Sequence, residues 1–179
     1  IFKPRTIFVE PIKSNFIDLK KNYSDQENLF FENCAISVNN KINHLFKVKE
    51  SRLKHYDDHI IGISSFDKNH LLKHGVKRKD IIQEKIQSIS IIDLLKKYSI
   101  TTLDLLFIDT EGYDGEIIID FIKKSDLKPI IIFEYIHINH EIFKKTLDIL
   151  NSNSFKYFKV DENIVCFPNN KLEYLKKIF

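Results

Sequence analysis

The sequence is poor in glycine and contains no methionine and no tryptophan. Its 179 residues include four glycines, at positions 62, 75, 112 and 115, and no two of them form a G-x-G pattern. A glycine loop that cradles the phosphates of a nucleotide is therefore absent from these residues. No apolar run approaches the ~18 residues that a membrane-spanning helix needs, so we predict no membrane span. With 43% hydrophobic and 30% charged residues, the composition is typical of a globular domain.

The charge balance gives no sign of a nucleic-acid partner. The net charge is +3, and the arginines are confined to Arg5, Arg52 and Arg78. Because nucleic-acid surfaces are rich in arginine and concentrate their charge in one stripe, we predict no nucleic-acid partner. The densest basic cluster is the string KRK at 77–79, which we interpret as a solvated turn.

The two cysteines, Cys34 and Cys166, lie far apart in the sequence, and neither has the spacing of a metal ligand. We interpret both as buried thiols of a protein in a reducing compartment. This interpretation predicts a cytoplasmic location.

Strand and helix patterns alternate along the chain, which is typical of an α/β domain. Strands are predicted at 6–9, 29–38, 41–48, 80–88, 103–108 and 129–136, helices at 12–23, 90–98, 116–124 and 141–150, and a closing antiparallel hairpin at 155–160 and 164–167. The continuous apolar strands predict a mostly parallel sheet that is covered on both faces. We expect one domain over 1–179, with the polar stretch 49–79 as an insertion or a mobile lid.

Polar residues that end the predicted strands are the first candidates for a site, because ligands of open α/β sheets bind beyond the carboxyl ends of the strands. They are Glu10, Asn33, Asp109, Glu111 and Glu134. A carboxylate such as Glu10 can accept hydrogen bonds from the hydroxyls of a ribose. It can equally be an acidic turn residue before proline, and both interpretations remain open.

The string Asp109-Thr110-Glu111-Gly112 places two carboxylates at the mouth of a strand, beside a glycine that permits a tight turn. Acids at the start of a helix also cap its free N–H groups. Capping is a good explanation for Glu111 or for Asp114. It explains Asp109 less well, because Asp109 closes the strand itself.

Beyond Glu134 come His137, His140 and Glu141. Their order, H-x-x-H-E, does not match the H-E-x-x-H or H-x-x-E-H pattern of zinc enzymes, so we predict no metal site. His137 is a candidate general base, because the ordinary pKa of histidine lies near neutral pH. We interpret His140 as a surface residue at the start of a helix.

Five segments of the chain occur in an order that is similar to a known family. They are IFVEP at 7–11, NCAI at 33–36, GISSF at 62–66, LDLLFIDTEGYD at 103–114 and PIIIFE at 129–134. Together they resemble the FkbM family of S-adenosylmethionine-dependent methyltransferases over nearly the whole chain. The segment 103–114 is the most specific of the five.

The resemblance implies a class I methyltransferase fold, which is a Rossmann-like, mostly parallel sheet with an antiparallel C-terminal hairpin. The first strand of that fold and its glycine loop have no counterpart in the sequence. Because the chain also begins at Ile1 and has no methionine, we expect it to be incomplete at its N-terminus. A strand that ends in a glycine-rich turn is then expected roughly 20–40 residues upstream.

The resemblance also implies S-adenosylmethionine as the cofactor and assigns roles to particular residues. On this mapping Glu10 holds the ribose, the segment at Asn33, Cys34 and Ala35 lies along the adenine, and Asp109 lies where the methyl group and the acceptor meet. Asp109 and Glu111 complete the set of cofactor-binding candidates. The catalytic candidates are Asp109 and His137.

The function implied is O-methylation of a hydroxyl on a saccharide or another small molecule, such as a secondary metabolite. Two alternatives remain open, an NAD-dependent Rossmann oxidoreductase and a non-catalytic α/β binding module. The first alternative requires a G-x-G-x-x-G loop that these residues lack. The sequence leaves the identity of the acceptor and the oligomeric state open.

Overall fold

The chain divides into two compact units, and we describe each of them separately. The computed structural model describes residues 4–38, 44–57, 60 and 62–169. One unit comprises residues 1–61 and 66–90, and the other comprises residues 62–65 and 91–179. In the described ranges no helix combines the length and the apolar character that a bilayer crossing needs. The expectations of one domain over 1–179 and of an insertion or lid at 49–79 stay predictions.

The secondary structure is mixed α/β, as the sequence predicts. The elements in chain order are β1 (Thr6–Val9), α1 (Lys13–Asn22), β2 (Leu29–Glu32), β3 (Ala35–Ile36), β4 (His44–Val48), a 3-10 helix (Glu50–His55), β5 (Ser64–Ser65), α2 (Lys68–Lys73), a second 3-10 helix (Arg78–Asp80), β6 (Ile81–Lys85), β7 (Ser88–Ile89), α3 (Ile91–Lys97), β8 (Leu105–Ile108), α4 (Asp114–Lys124), β9 (Ile130–Glu134), α5 (His140–Ser152), β10 (Phe155–Val160) and β11 (Asn163–Pro168).

The first unit is built from short paired strands around a small apolar core. β1 runs parallel to β2, β3 parallel to β7, and β4 antiparallel to β6. The core contains the buried side chains of Ile12, Ala35, Leu45 and Ile86, with Phe66 packed against them. The predicted strands at 29–38 and 80–88 are each divided in two, and residues 41–43 of the strand predicted at 41–48 lie outside the described residues.

The second unit contains a four-stranded sheet in the order β10, β11, β9, β8. β8 and β9 are parallel, while β11 is antiparallel to both β9 and β10, so the predicted closing hairpin is confirmed. The register pairs Ile108 at the end of β8 with Phe133 in β9. The strand predicted at 129–136 ends at Glu134, because the chain turns after that residue toward α5.

The prediction that both faces of the sheet are covered is wrong for β8. Leu105 is 52% exposed and Phe107 is 61% exposed, whereas Ile108 is buried. Alternate residues of a strand point to opposite faces, so Leu105 and Phe107 share the exposed face. Among the described strands β8 lies at the end of the sheet order, which is where side chains have the fewest neighbours. An apolar run in the sequence does not distinguish such a strand from a buried one.

The two long helices of the second unit, α4 and α5, approach each other closely at Gly115. A Cβ atom at this position would lie 2.6 Å from Cγ2 of Ile142 and 2.8 Å from Oγ1 of Thr146. Thr146 is fully buried, and its hydroxyl donates to the carbonyl of Ile142 on the preceding turn. Neither neighbour can move away cheaply, so the helix pair requires glycine at this position.

We therefore predict that Gly115→Ala destabilises the protein by roughly 1–3 kcal/mol, because the added methyl group overpacks the interface between α4 and α5. Urea denaturation of the parent and the variant measures the effect. Gly62→Ala is the matched control, since a Cβ atom there meets nothing within 4 Å. Equal stability of the Gly115 variant and the parent would show that the helices separate without cost.

Candidate functional site

Two carboxylates follow adjacent parallel strands in the second unit. Ile108 pairs with Phe133, so the next residues, Asp109 and Glu134, come at the same edge of the sheet. Asp109 is exposed, whereas the side chain of Glu134 is only 16% exposed. The carboxyl ends of β8 and β9 thus provide one accessible and one largely buried carboxylate.

The turn after β8 is held by Asp114, the first residue of α4. This side chain is fully buried, and its Oδ2 accepts hydrogen bonds from the hydroxyl of Thr110 at 2.7 Å and from the backbone N–H groups of Thr110 and Gly112, each at 3.3 Å. The sequence offers Glu111 and Asp114 as capping residues of this helix. The hydrogen bonds of Asp114 instead come from the turn before α4, and the N-cap residue, Tyr113, makes no side-chain capping hydrogen bond. α4 begins two residues before the predicted start at 116, since Asp114 belongs to its first turn.

Gly112 brings the segment that carries His137 against this turn. Its φ is +103°, and a Cβ atom there would lie 2.8 Å from the carbonyl oxygen of His137. Glu111 also has a positive φ, +54°, a conformation that is uncommon for a residue with a side chain. The tight turn and the close approach together place the side chains of Glu111 and His137 side by side.

His137 lies between two carboxylates. Its Nε2 is 3.7 Å from Oε2 of Glu111 and 3.8 Å from Oε2 of Glu134, and its side chain is 20% exposed. Both distances exceed the length of a hydrogen bond. We call Asp109, Glu111, Glu134 and His137 the carboxylate–histidine cluster.

Three members of this cluster could hold a cation. One ligand atom from each of Glu111, Glu134 and His137 lies within 4.8 Å of the others. The linear H-x-x-H-E pattern gave no reason to expect this group, because Glu111 comes from a different part of the chain and Glu141 is not included. The absence of a metal site stays a prediction from the sequence.

Burial, together with the crowding of negative charge, raises the pKa of two carboxylates in the cluster. Burial, followed by the charges of Asp109, Glu111, Asp114 and Glu162, raises the pKa of Glu134 to about 7. Partial burial and the charge of Glu111 raise the pKa of Asp109, while His137 acts in the opposite direction. Glu134 is therefore partly protonated near neutral pH, when it can donate as well as accept a hydrogen bond.

In the first unit, Glu10 and Asn33 are tied to each other through the backbone. Oε1 of Glu10 accepts from the N–H of Ile12 at 2.7 Å, just before α1. The Nδ2 of Asn33 donates to the carbonyls of Glu10 and Pro11, at 2.9 and 3.1 Å. Burial raises the pKa of Glu10, and the hydrogen bond from Ile12 partly offsets this effect. Asn33 thus stabilises the turn after β1. This turn holds the carboxylate of Glu10, the residue that the family resemblance assigns to the ribose.

Cys34 and Ala35 are the remaining cofactor candidates in the first unit. Both of their side chains are buried. The backbone N–H of Ala35 donates to the carbonyl of Gln87 and is engaged within the unit. Cys166 is buried as well, as the sequence predicts, and neither cysteine forms a disulfide among the described residues. Any contact of Cys34 or Ala35 with a ligand would have to come from backbone atoms that remain available.

Two features of the site were not predicted from the sequence. Asp114 holds the turn after β8 through its hydrogen bonds, and Glu111 lies beside His137. The string D-T-E-G-Y-D offered a signal for Asp114, since an aspartate four residues after a threonine can reach back to its backbone and hydroxyl. The sequence contains no comparable signal for the second feature, because it depends on the approach of two distant segments at Gly112.

Comparison with protein-family models gives one match. Residues 3–157 match the methyltransferase FkbM domain. Since the match covers most of the chain, the protein belongs to the FkbM methyltransferase family. Searches of curated proteins and of solved structures found no significant match.

The raised pKa of Glu134 predicts a specific dependence of stability on pH. An unfolded glutamate titrates near 4.5 and the folded one near 7. Between these values the folded state holds a proton that the unfolded state releases, so the contribution of Glu134 to stability falls as pH rises from about 4.5 to about 7.

Glu134→Gln keeps the shape of the protonated side chain and removes this titration. We expect the variant to gain thermal stability relative to the parent as pH rises through that window, measured as the difference in Tm from pH 4.5 to 8. Glu141→Gln, which changes an exposed glutamate on α5, is the control and should follow the parent. If the difference between Glu134→Gln and the parent is constant with pH, Glu134 titrates normally.

Proposed function

We propose that this FkbM methyltransferase transfers a methyl group from S-adenosylmethionine to a hydroxyl of a small molecule or a saccharide. The observation that carries the proposal is the carboxylate–histidine cluster at the carboxyl ends of β8 and β9. Two of its members, Asp109 and Glu111, lie in the segment 103–114 that most resembles the family. Binding of S-adenosylmethionine by calorimetry, followed by methyl transfer to a panel of hydroxylated acceptors, is the direct test. Binding of NAD instead would favour an oxidoreductase, and binding of S-adenosylmethionine without turnover on any acceptor would favour a binding module.

The residues assigned to the cofactor in the first unit fit a ribose. Glu10 follows a strand that is parallel to its neighbour, and its Oε1 is fixed by the N–H of Ile12. Its second oxygen, Oε2, accepts no hydrogen bond from the residues that the structure describes, so it remains available to a ribose hydroxyl. Asn33 would act through the turn, while Cys34 and Ala35 would present backbone atoms to the adenine.

The residues of the carboxylate–histidine cluster supply the proton chemistry in the proposal. S-adenosylmethionine, when bound, supplies an activated methyl group, so the protein must orient the acceptor and receive its proton. Asp109 is exposed, and its raised pKa makes it a stronger base than an ordinary aspartate. Glu111, the third residue of the turn, is proposed to contact the cofactor at the same end of the sheet. His137 is the second candidate for the base, and Glu111 and Glu134 on either side of its Nε2 would stabilise it once protonated.

We further propose that the chain adopts the class I methyltransferase arrangement. The parallel pairs β1–β2 and β8–β9 and the antiparallel order β9–β11–β10 support this proposal. The two buried cysteines form no disulfide in the described part of the chain, which is in keeping with a cytoplasmic location. The acceptor is proposed to be a saccharide or another small hydroxylated molecule.

Glu10→Ala should weaken the binding of S-adenosylmethionine roughly ten- to a hundredfold, the effect of losing one hydrogen-bonding carboxylate. Calorimetry measures the affinity, and a melting curve measures the loss of the hydrogen bond to Ile12. Glu10→Gln is the matched variant, because its amide oxygen can still accept from Ile12 while the charge is removed. If affinity falls only in the alanine variant and in step with its stability, Glu10 is a turn residue and does not bind the ribose.

Asp109→Asn should lower the single-turnover rate of methyl transfer by about a hundredfold or more, with a smaller effect on cofactor affinity, if Asp109 receives the proton. Asp114→Asn is the structural control. It should lower the melting temperature, because an amide in place of the buried carboxylate weakens the bonds to Thr110 and Gly112. Methylation by Asp109→Asn at the parent rate would exclude Asp109 as the base and leave His137 as the candidate.

A further inference from the structure

A cavity with a volume of about 270 Å³ lies within the first unit and shares no residue with the carboxylate–histidine cluster. Two short segments form it, one at the end of the first 3-10 helix and one around the second. The lining residues are Arg52, His55, Tyr56, Lys77, Lys79 and Asp80. The cavity thus includes two lysines of the KRK string, which the sequence analysis interpreted as a solvated turn.

The walls of the cavity are held by the buried carboxylate of Asp80, whose side chain is 8% exposed. Its Oδ2 accepts a hydrogen bond of 2.7 Å from the hydroxyl of Tyr56, and its Oδ1 lies 3.5 Å from Nε of Arg52. The same hydroxyl of Tyr56 accepts from the backbone N–H of Lys77 at 3.1 Å. Asp80 and Tyr56 therefore fix the two segments together, and both carboxylate oxygens of Asp80 are engaged.

The charge that remains in the cavity is positive. Arg52, Lys77 and Lys79 carry three positive charges against the single negative charge of Asp80, and His55 adds another positive charge when it is protonated. Among the described residues no ion pair connects Lys77, Lys79 or His55 to a carboxylate. Arg52 contacts Asp80 through Nε, which leaves the N–H groups of its Nη atoms as potential donors.

A net charge of about +2 in a concave site matches a phosphate group, which carries nearly two negative charges at neutral pH and offers several acceptor oxygens. A guanidinium group suits its oxygens geometrically, and lysines add charge without a geometric requirement. The volume exceeds that of one phosphate group, so there is room for part of the molecule that carries it. A neutral ligand could accept hydrogen bonds from the lysines but would lack the attraction between opposite charges.

We propose that this cavity binds the phosphate group of a phosphorylated small molecule. The cavity shares no residue with the carboxylate–histidine cluster, so this proposal does not depend on the proposed methyl transfer. Ligand binding alone can test it. Lys77 and Lys79 supply charge, Arg52 supplies directed hydrogen bonds, and Asp80 with Tyr56 holds the walls in place.

The test is calorimetric titration of the protein at constant ionic strength with three probes: inorganic phosphate, glucose 6-phosphate and glucose. We expect saturable binding of both phosphate compounds, competition between them, and no binding of glucose. Tighter binding of glucose 6-phosphate than of inorganic phosphate would support a phosphorylated small molecule as the ligand. Equal affinity for the two compounds would overturn that assignment in favour of a site for free phosphate. The double variant Lys77→Gln/Lys79→Gln should bind both compounds at least tenfold more weakly, because two positive charges are lost.

The lysine side chains are exposed and make no contact that folding requires, so the double variant should melt like the parent. Lys85→Gln, which changes an exposed lysine of β6 outside the cavity, is the matched control and should bind like the parent. Absence of saturable phosphate binding, equal weakening by Lys85→Gln, or equal binding of glucose would each overturn the proposal. Binding of a single-stranded RNA oligonucleotide that depends on Lys77 and Lys79, without binding of glucose 6-phosphate, would also overturn it and favour a nucleic-acid surface.

Discussion

The buried carboxylate of Asp114 is the interaction on which the candidate site depends. It has no access to solvent, and three donors from Thr110 and Gly112 converge on its Oδ2. Burial raises the pKa of Asp114, and the hydrogen bonds from Thr110 oppose this shift only in part. The other oxygen, Oδ1, is buried and accepts no hydrogen bond among the described residues. The turn that results gives Gly112 its positive φ and allows the backbone of His137 to approach.

The cluster that this turn creates is electrostatically unfavourable in itself. Glu134 is surrounded by other acids, and its buried Oε2 accepts no hydrogen bond among the described residues. Strongly perturbed carboxylates are found at functional sites more often than elsewhere, because selection for stability alone would remove them. The proton transfer proposed for this site would give such a cluster a function.

Local sequence patterns predicted most of the helices and strands. The features that they did not predict depend on contacts, or on missing contacts, between distant segments of the chain. β1, α1 and the closing hairpin follow from β-branched runs, helical spacing and turn residues, and they occur where the sequence places them. The exposure of Leu105 and Phe107 could not be predicted, because an apolar strand is the same in sequence whether or not a neighbour covers it. The basic string at 77–79 is exposed, as expected of a solvated turn, but the sequence does not indicate that Tyr56 and Asp80 connect it to Arg52.

For the candidate site, too, the sequence predicts which residues are present but does not predict their exposure. Asp109 and Asp114 are five positions apart in one string, D-T-E-G-Y-D, yet one is exposed and the other is fully buried. The difference follows from their positions. Asp109 directly follows β8, beyond the end of the sheet, whereas Asp114 is the first residue of α4 and its side chain contacts the preceding turn. In the proposed reaction Asp114 provides the rigid turn, and the exposed Asp109 receives the proton. Substitution of either residue in the same string should therefore have separable effects, on stability for Asp114 and on the reaction for Asp109.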